Sequence, residues 1–259
     1  YTLWHTLSLH DALPIFYRLS AWSEKRSVTA TIPAAPDQKS MDENHAVLGG
    51  GALDGMRMVM RSPYLLGICL LILLYTTLST FLYFQQAEII RDSFSDSDQR
   101  TRVFAAMDLA TNALTIILQL FFTGRIVKLF GLGWGLALIP LLLSLGFLSL
   151  ALFPLLGVLV CVQVARRAGN YALMKPSREM LFVVLNKEQK YKAKNIIDTV
   201  IYRSGDVVSA WAYAGLQALG MGLSAIALVA VPLCGGWAWV GYQLGKQQES
   251  RATAKEMTE

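Results

Sequence analysis

The stretch 166–180, "RRAGNYALMKPSREM", sets Arg166, Arg167, Lys175 and Arg178 against one acid, Glu179, directly after the apolar run 153–165. A second stretch, 195–209, "NIIDTVIYRSGDVVS", carries Asp198, Arg203 and Asp206. Guanidinium and ammonium groups hold phosphate or carboxylate, Arg in a bidentate fork, so a surplus of bases over acids suits an anionic ligand. The same charges, matched one to one, would serve as ion pairs that hold two helices together or lock a gate. At helical spacing Arg167, Asn170, Tyr171, Met174, Lys175 and Arg178 share one stripe, and Asp198, Tyr202, Gly205, Asp206 and Ser209 share another.

The elements that must position these stripes are membrane spans. The chain has 259 residues, 54% hydrophobic and 16% charged, with a mean hydropathy of +0.43, too apolar for an ordinary soluble domain. Its apolar residues come in blocks of about 20 or more, the length a helix needs to cross a ~30 Å hydrocarbon core. The short alternating strands of a barrel are not seen in them. The expected fold is therefore all-α, a polytopic membrane helix bundle with six transmembrane helices at about 64–87, 105–127, 131–152, 155–184, 195–219 and 222–244. An ionised side chain at mid-bilayer costs about 2.5 to 3.5 kcal/mol on insertion scales, so the polar stripes should face a watery interior.

Depth sets the expected pairing. Arg166 and Arg167 lie about 16 to 18 Å from the start of the fourth span, and Asp206 about 16 Å into the fifth, which runs the other way. Asp198 lies about 5 Å deep, near the level of Lys175 and Arg178. Asp206 is thus expected opposite Arg166 or Arg167, and Asp198 opposite Lys175 or Arg178. Pro176 interrupts the fourth span and predicts a bend with freed carbonyls. Gln85, Gln86, Glu88, Asp108, Asn112 and Gln119 are expected to hydrogen-bond between helices or to meet substrate. Tyr64, Trp134, Trp237 and Trp239 are expected at the membrane interfaces. Cys69, Cys161 and Cys234 are expected to be buried apolar side chains; no metal or cofactor set can be assembled from them.

Residues 1–15 contain "HTLSLHDALPI", which resembles the translation of a sequencing-library adapter, so they are expected to be an artefact. Residues 16–61 mix Pro, Gly, Ser and charge without a helical period and read as a cytoplasmic linker; 62–245 is the six-helix domain and 246–259 a cytoplasmic tail. Lys and Arg collect after the second and fourth spans and in the tail, through Arg125, Lys128, Lys187, Lys190, Lys192, Lys194, Lys246, Arg251 and Lys255. Positive loops stay inside, so the linker and C-terminus are expected in the cytoplasm. Six spans after a cytoplasmic linker match the second half of a twelve-helix transporter, so an N-terminal six-helix half of the same protein is expected. The sequence offers no nucleophile with a positioned base and no Gly-rich phosphate loop, so the chain is not read as an enzyme.

The segment "KPSREMLFVVLNKEQKYKAKNIIDTVIYRSGD", 175–206, resembles the bacterial branch of the major facilitator superfamily related to ATP/ADP antiporters. "GRIVKLFGLGWGL" is similar to that superfamily's cytoplasmic loop motif through Gly124, Arg125, Lys128 and Gly131, without the motif's acid. The resemblance implies the C-terminal half of a twelve-helix major facilitator fold with alternating access in a bacterial inner membrane. It implies a secondary transporter of a small anionic solute, with ATP/ADP exchange the family's own activity and an exchanged counter-ion as a further partner. It supports Lys175, Arg178, Asp198, Arg203 and Asp206 as site residues, while Arg167, Asn170, Tyr171 and Tyr202 rest on spacing. Nucleic acid is not an expected partner. A membrane-embedded assembly or sensor protein on the same fold is the alternative.

Overall fold

The computed structural model describes residues 52–257, and every element among them is a helix. The expected artefact and most of the expected linker lie outside those residues. Helix α1, Ala52–Arg61, falls at the end of the expected linker, where no sustained helical period is read from the sequence. Its buried Gly55 and Val59, four residues apart, form an inner face too short to register as a sustained period. A Cβ on Gly55 would meet Ile196 Cδ1 at 2.8 Å, so α1 lies tight against the helix that carries Ile196.

Helix α2, Pro63–Ser93, starts as its sequence dictates: Ser62 accepts from Leu65 N at 3.4 Å and Pro63 follows in the first turn. Helix α3, Ser97–Phe121, is capped by Asp96, and α4, Thr123–Leu152, follows after Phe122 alone. Then come α5, Leu156–Gly169, α6, Lys175–Leu181, α7, Lys187–Ile196, α8, Tyr202–Ala218, and α9, Leu223–Glu256. Among the described residues four helices are long and apolar enough to cross a membrane: Pro63–Ser93, Ser97–Phe121, Thr123–Leu152 and Leu223–Ala254. The fourth and fifth expected spans are helical, but they are too charged or interrupted to join those four. Helix runs without a coil residue over 156–181 and 187–218, changing to π geometry at Asn170–Met174 and at Ile197–Ile201.

The tightest packing joins α4 to α9. A Cβ on Gly245 would overlap Gly133 Cα and N, and one on Gly241 would fall 3.1 Å from Leu136 O. Glycines four apart let two backbones touch, and dispersion across that contact replaces the hydrophobic drive that lipid removes. Helix α4 breaks at Gly131, whose φ of 81° favours glycine. The restarted helix has orphan N–H groups, and Glu249 of α9 accepts from Leu132 N at 2.8 Å. An acid from the last helix thus reaches the loop motif that carries none of its own.

Several positions differ from expectation. The turn after α3 falls at Phe122, so Arg125 and Lys128 lie on helix, not in a loop. Helix α9 runs past residue 245 to Glu256, through most of the expected tail. Trp237 and Tyr64 are buried to 1% exposure instead of anchoring at an interface. Trp237 packs against Tyr75, ring centroids 5.8 Å apart, and the Tyr64 hydroxyl donates to Leu181 O at 2.8 Å. Cys161 is exposed, whereas Cys69 and Cys234 are buried. Helix α3 buries only Met107 and Thr111, leaving Leu109, Ile116, Ile117 and Leu120 facing outward.

Candidate functional site

The candidate site is built around the two π segments. Pro176 has no N–H, so the Ala172 carbonyl four residues earlier loses its helical donor. The chain responds with an i→i−5 bond, Lys175 N–H to Asn170 O. The released carbonyls are taken up by side chains from the α3–α4 corner. Thr123 Oγ1 donates to Ala172 O at 2.7 Å and Gln119 Nε2 to Tyr171 O at 3.3 Å. The bend expected at Pro176 is therefore a register shift satisfied from outside.

In the second π segment Tyr202 N–H bonds Ile197 O, again five residues back. On a regular α-helix Asp198 and Arg203 would point about 140° apart. A π turn brings residues five apart toward one side. Asp198, Tyr202 and Arg203 consequently line one cavity, and so do Asn170, Tyr171, Lys175 and Arg178. That cavity measures about 650 Å³ and is completed by Tyr75, Glu179 and Lys194. Tyr75 adds an aromatic wall, its ring centroid 6.1 Å from that of Tyr202.

Seven of the nine expected site residues thus meet in one space, while Arg167 and Asp206 do not line it. Arg167 Nη1 binds Asp108 Oδ1 of α3 at 2.6 Å, with both side chains partly exposed. Asp206 forms no ion pair or hydrogen bond with another described residue. The expected pairing of Arg166 or Arg167 with Asp206 is therefore wrong. The depths match, but α3 is the neighbour of α5 on the side that Arg167 faces. Arg166 turns the other way, donating to Ser79 Oγ at 2.8 Å and to Gln163 Oε1 at 2.9 Å, with Gln163 bonded to Gln86. That seam ties α5 to α2 through neutral partners. Gln85 likewise bonds a helix carbonyl, Leu223 O, at 3.2 Å.

The second expected pairing, Lys175 or Arg178 with Asp198, is also absent as an ion pair, although all three line the cavity. The ion pair in the wall is Lys194 to Glu179, at 2.5 Å. In the sequence Lys194 reads as a topology signal and Glu179 carries no role. With that pair set aside, Lys175, Arg178 and Arg203 face the cavity against one carboxylate, Asp198. None of these three bases forms an ion pair or hydrogen bond with another described residue, although Arg203 attracts the carboxylate of Asp206 three residues on. Gly205 and Ser209 of the expected stripe serve packing instead. A Cβ on Gly205 would fall 2.5 Å from Thr76 Oγ1, and Ser209 Oγ meets Thr77 Oγ1 at 2.9 Å. Among the described residues no group of His, Cys, Asp and Glu is placed to hold a metal ion.

Four membrane-length helices beside a polar, net-basic cavity define a polytopic membrane protein. The chain belongs to the TLC ATP/ADP transporter family, whose model matches residues 15–248. It is 23% identical over 204 residues to ADP,ATP carrier protein 1 of Chlamydia pneumoniae, covering 71% of this chain and 40% of that protein. It is 25% identical over 167 residues to ADP,ATP carrier protein 1 of Chlamydia muridarum, covering 57% of this chain and 32% of that protein. The chain thus spans less than half the length of these curated relatives. No solved structure matches it. These matches bear out the ATP/ADP-transporter part of the expected resemblance and do not reach the wider superfamily.

Proposed function

We propose that this chain is the C-terminal, six-span part of a nucleotide transporter, and that its cavity holds the phosphates of ADP or ATP during exchange. The observation that carries this reading is the set of three cavity bases, Lys175, Arg178 and Arg203, without an ion-pair or hydrogen-bond partner among the described residues. Bases that only held helices together would have partners, an acid as Arg167 has or neutral oxygens as Arg166 has. Bases left facing a space of about 650 Å³ suit an anion of nucleotide size. Tyr75, Tyr171 and Tyr202 offer aromatic faces and hydroxyls beside them, and Asn170 and Asp198 offer acceptors for ribose or base. Arg167, paired with Asp108 outside the cavity lining, and Asp206 are assigned to the moving helix contacts rather than to substrate.

In this reading the protein is a multi-pass protein of a bacterial inner membrane, with its linker and C-terminus in the cytoplasm. An N-terminal half supplies the opposite wall of the cavity, and the whole works by major-facilitator-type alternating access. Counter-exchange of nucleotides drives transport in this reading, on the likeness to the ADP,ATP carrier proteins, with an ion gradient as the alternative driving force. Proteoliposomes containing the full-length protein should take up labelled ADP or ATP in exchange for internal nucleotide, with saturation. Absence of saturable flux across nucleotides and other organic anions would favour the non-transporting assembly or sensor protein.

A further inference from the structure

A second basic cleft, which shares no lining residue with the cavity, lies where α1, α2, the connection after α6, the start of α7 and α9 meet. It measures about 490 Å³, and Arg57, Arg61 and Arg251 line it together with Ser62. No acidic side chain lines it among the described residues. Arg57 and Arg61 are four apart on α1 and so project from one side of that helix. Arg251 comes from α9 and lies over the Tyr64 ring, 4.5 Å from its centroid, which fixes the guanidinium without neutralising it. The inner wall is apolar, formed by Leu65 and Leu185.

The level of the cleft along α2 suits one occupant. Ser62 is the N-cap of α2 and Leu65 belongs to its first turn, so the arginines sit where a membrane-length apolar helix begins. That is the depth of lipid phosphates, with acyl chains beginning one turn deeper. Guanidinium groups recognise phosphate by paired hydrogen bonds, and a juxtamembrane basic cluster attracts anionic lipid. Arg57 and Arg61 have no ion-pair partner among the described residues to compete for them.

We propose that this cleft binds the phosphodiester headgroup of an anionic phospholipid, with Arg57, Arg61 and Arg251 around the phosphate and the proximal acyl chain against Met58 and Leu185. The proposal is independent of what the central cavity carries. The shared chemistry is a phosphate group, whose source is a membrane lipid or free phosphate. Native mass spectrometry of the purified full chain, titrated with phosphatidylglycerol or phosphatidylcholine, separates these sources. The expected result is retention of phosphatidylglycerol at least tenfold more strongly than phosphatidylcholine, unaffected by millimolar inorganic phosphate. The triple variant R57Q/R61Q/R251Q should lose that retention. A variant with equal charge loss elsewhere, R91Q/R102Q/K190Q, should keep it. A single change, Ser62→Asp, retains a capping carboxylate for α2 while placing a negative charge among the arginines, so it should expel the lipid without unfolding the protein. Equal retention by all variants, or displacement by inorganic phosphate, would overturn the proposal.

Discussion

The α4–α9 pair and the α5–α8 region are both helical and both lie in the bundle, yet they are held by opposite means. Between α4 and α9 glycines bring backbones into contact, and polar groups are few apart from Glu249 on Leu132 N. From α5 to α8 the helices twice depart from α geometry: the carbonyls released at the first departure are taken up by side chains from the α3–α4 corner, and the second turns Asp198 and Arg203 toward the cavity. The first region has one arrangement that fits. The second is joined by exchangeable hydrogen bonds and ion pairs, and of the two regions it is the one that surrounds a charged cavity. Transport of the kind proposed needs both: a fixed frame, and a wall whose partners can change.

That contrast is broken most severely in the frame. Gly245→Leu has no space, since even a Cβ would overlap the Gly133 backbone, and it should cost more than about 3 kcal/mol or prevent folding. Gly215→Leu, with nothing within 4 Å of the place its Cβ would take, should leave the melting temperature in detergent unchanged. Next in size is Thr123→Val, which strands the Ala172 carbonyl at a cost of about 1 to 3 kcal/mol. The cost should largely vanish in a Pro176→Ala background, because alanine restores the N–H that this carbonyl lacks. A thermal-unfolding double-mutant cycle showing simple additivity would disprove the link. Smallest is Asp108→Asn, which removes a half-exposed ion pair worth roughly 1 kcal/mol. The swap Arg167→Asp with Asp108→Arg should recover that loss, whereas Arg167→Asp with Asp206→Arg should not.

The sequence carries the helical class, the apolar blocks and most of the cavity wall, because hydropathy and the cost of intramembrane charge act residue by residue. It does not carry neighbour choice. Depth places Arg167 level with Asp206, but depth is blind to which helix lies on which side, and Arg167 meets Asp108. Period also fails at the π segments: a 3.6-residue stripe groups Asp198 with Asp206, whereas the π turn groups it with Arg203. Pro176 is the visible signal for the first π segment, and its acceptor's partner Thr123 is visible only in three dimensions. For the second, Ile197–Ile201, no proline or glycine marks the sequence. Tyr75 is hidden in the apolar α2, and Lys194 among the lysines of a basic stretch.

Under the proposed function Lys175, Arg178 and Arg203 await an anionic ligand rather than a protein partner. The direct measurement is equilibrium binding of labelled ADP to the full-length protein in detergent, comparing Lys175→Gln, Arg178→Gln and Arg203→Gln with the control Arg102→Gln. A charge-assisted contact to phosphate is worth about 1.5 to 3 kcal/mol, roughly tenfold or more in affinity for each base. Each of the three cavity variants should show that weakening, and the control should keep its affinity. Equal ADP affinity across all four variants would contradict the proposed function.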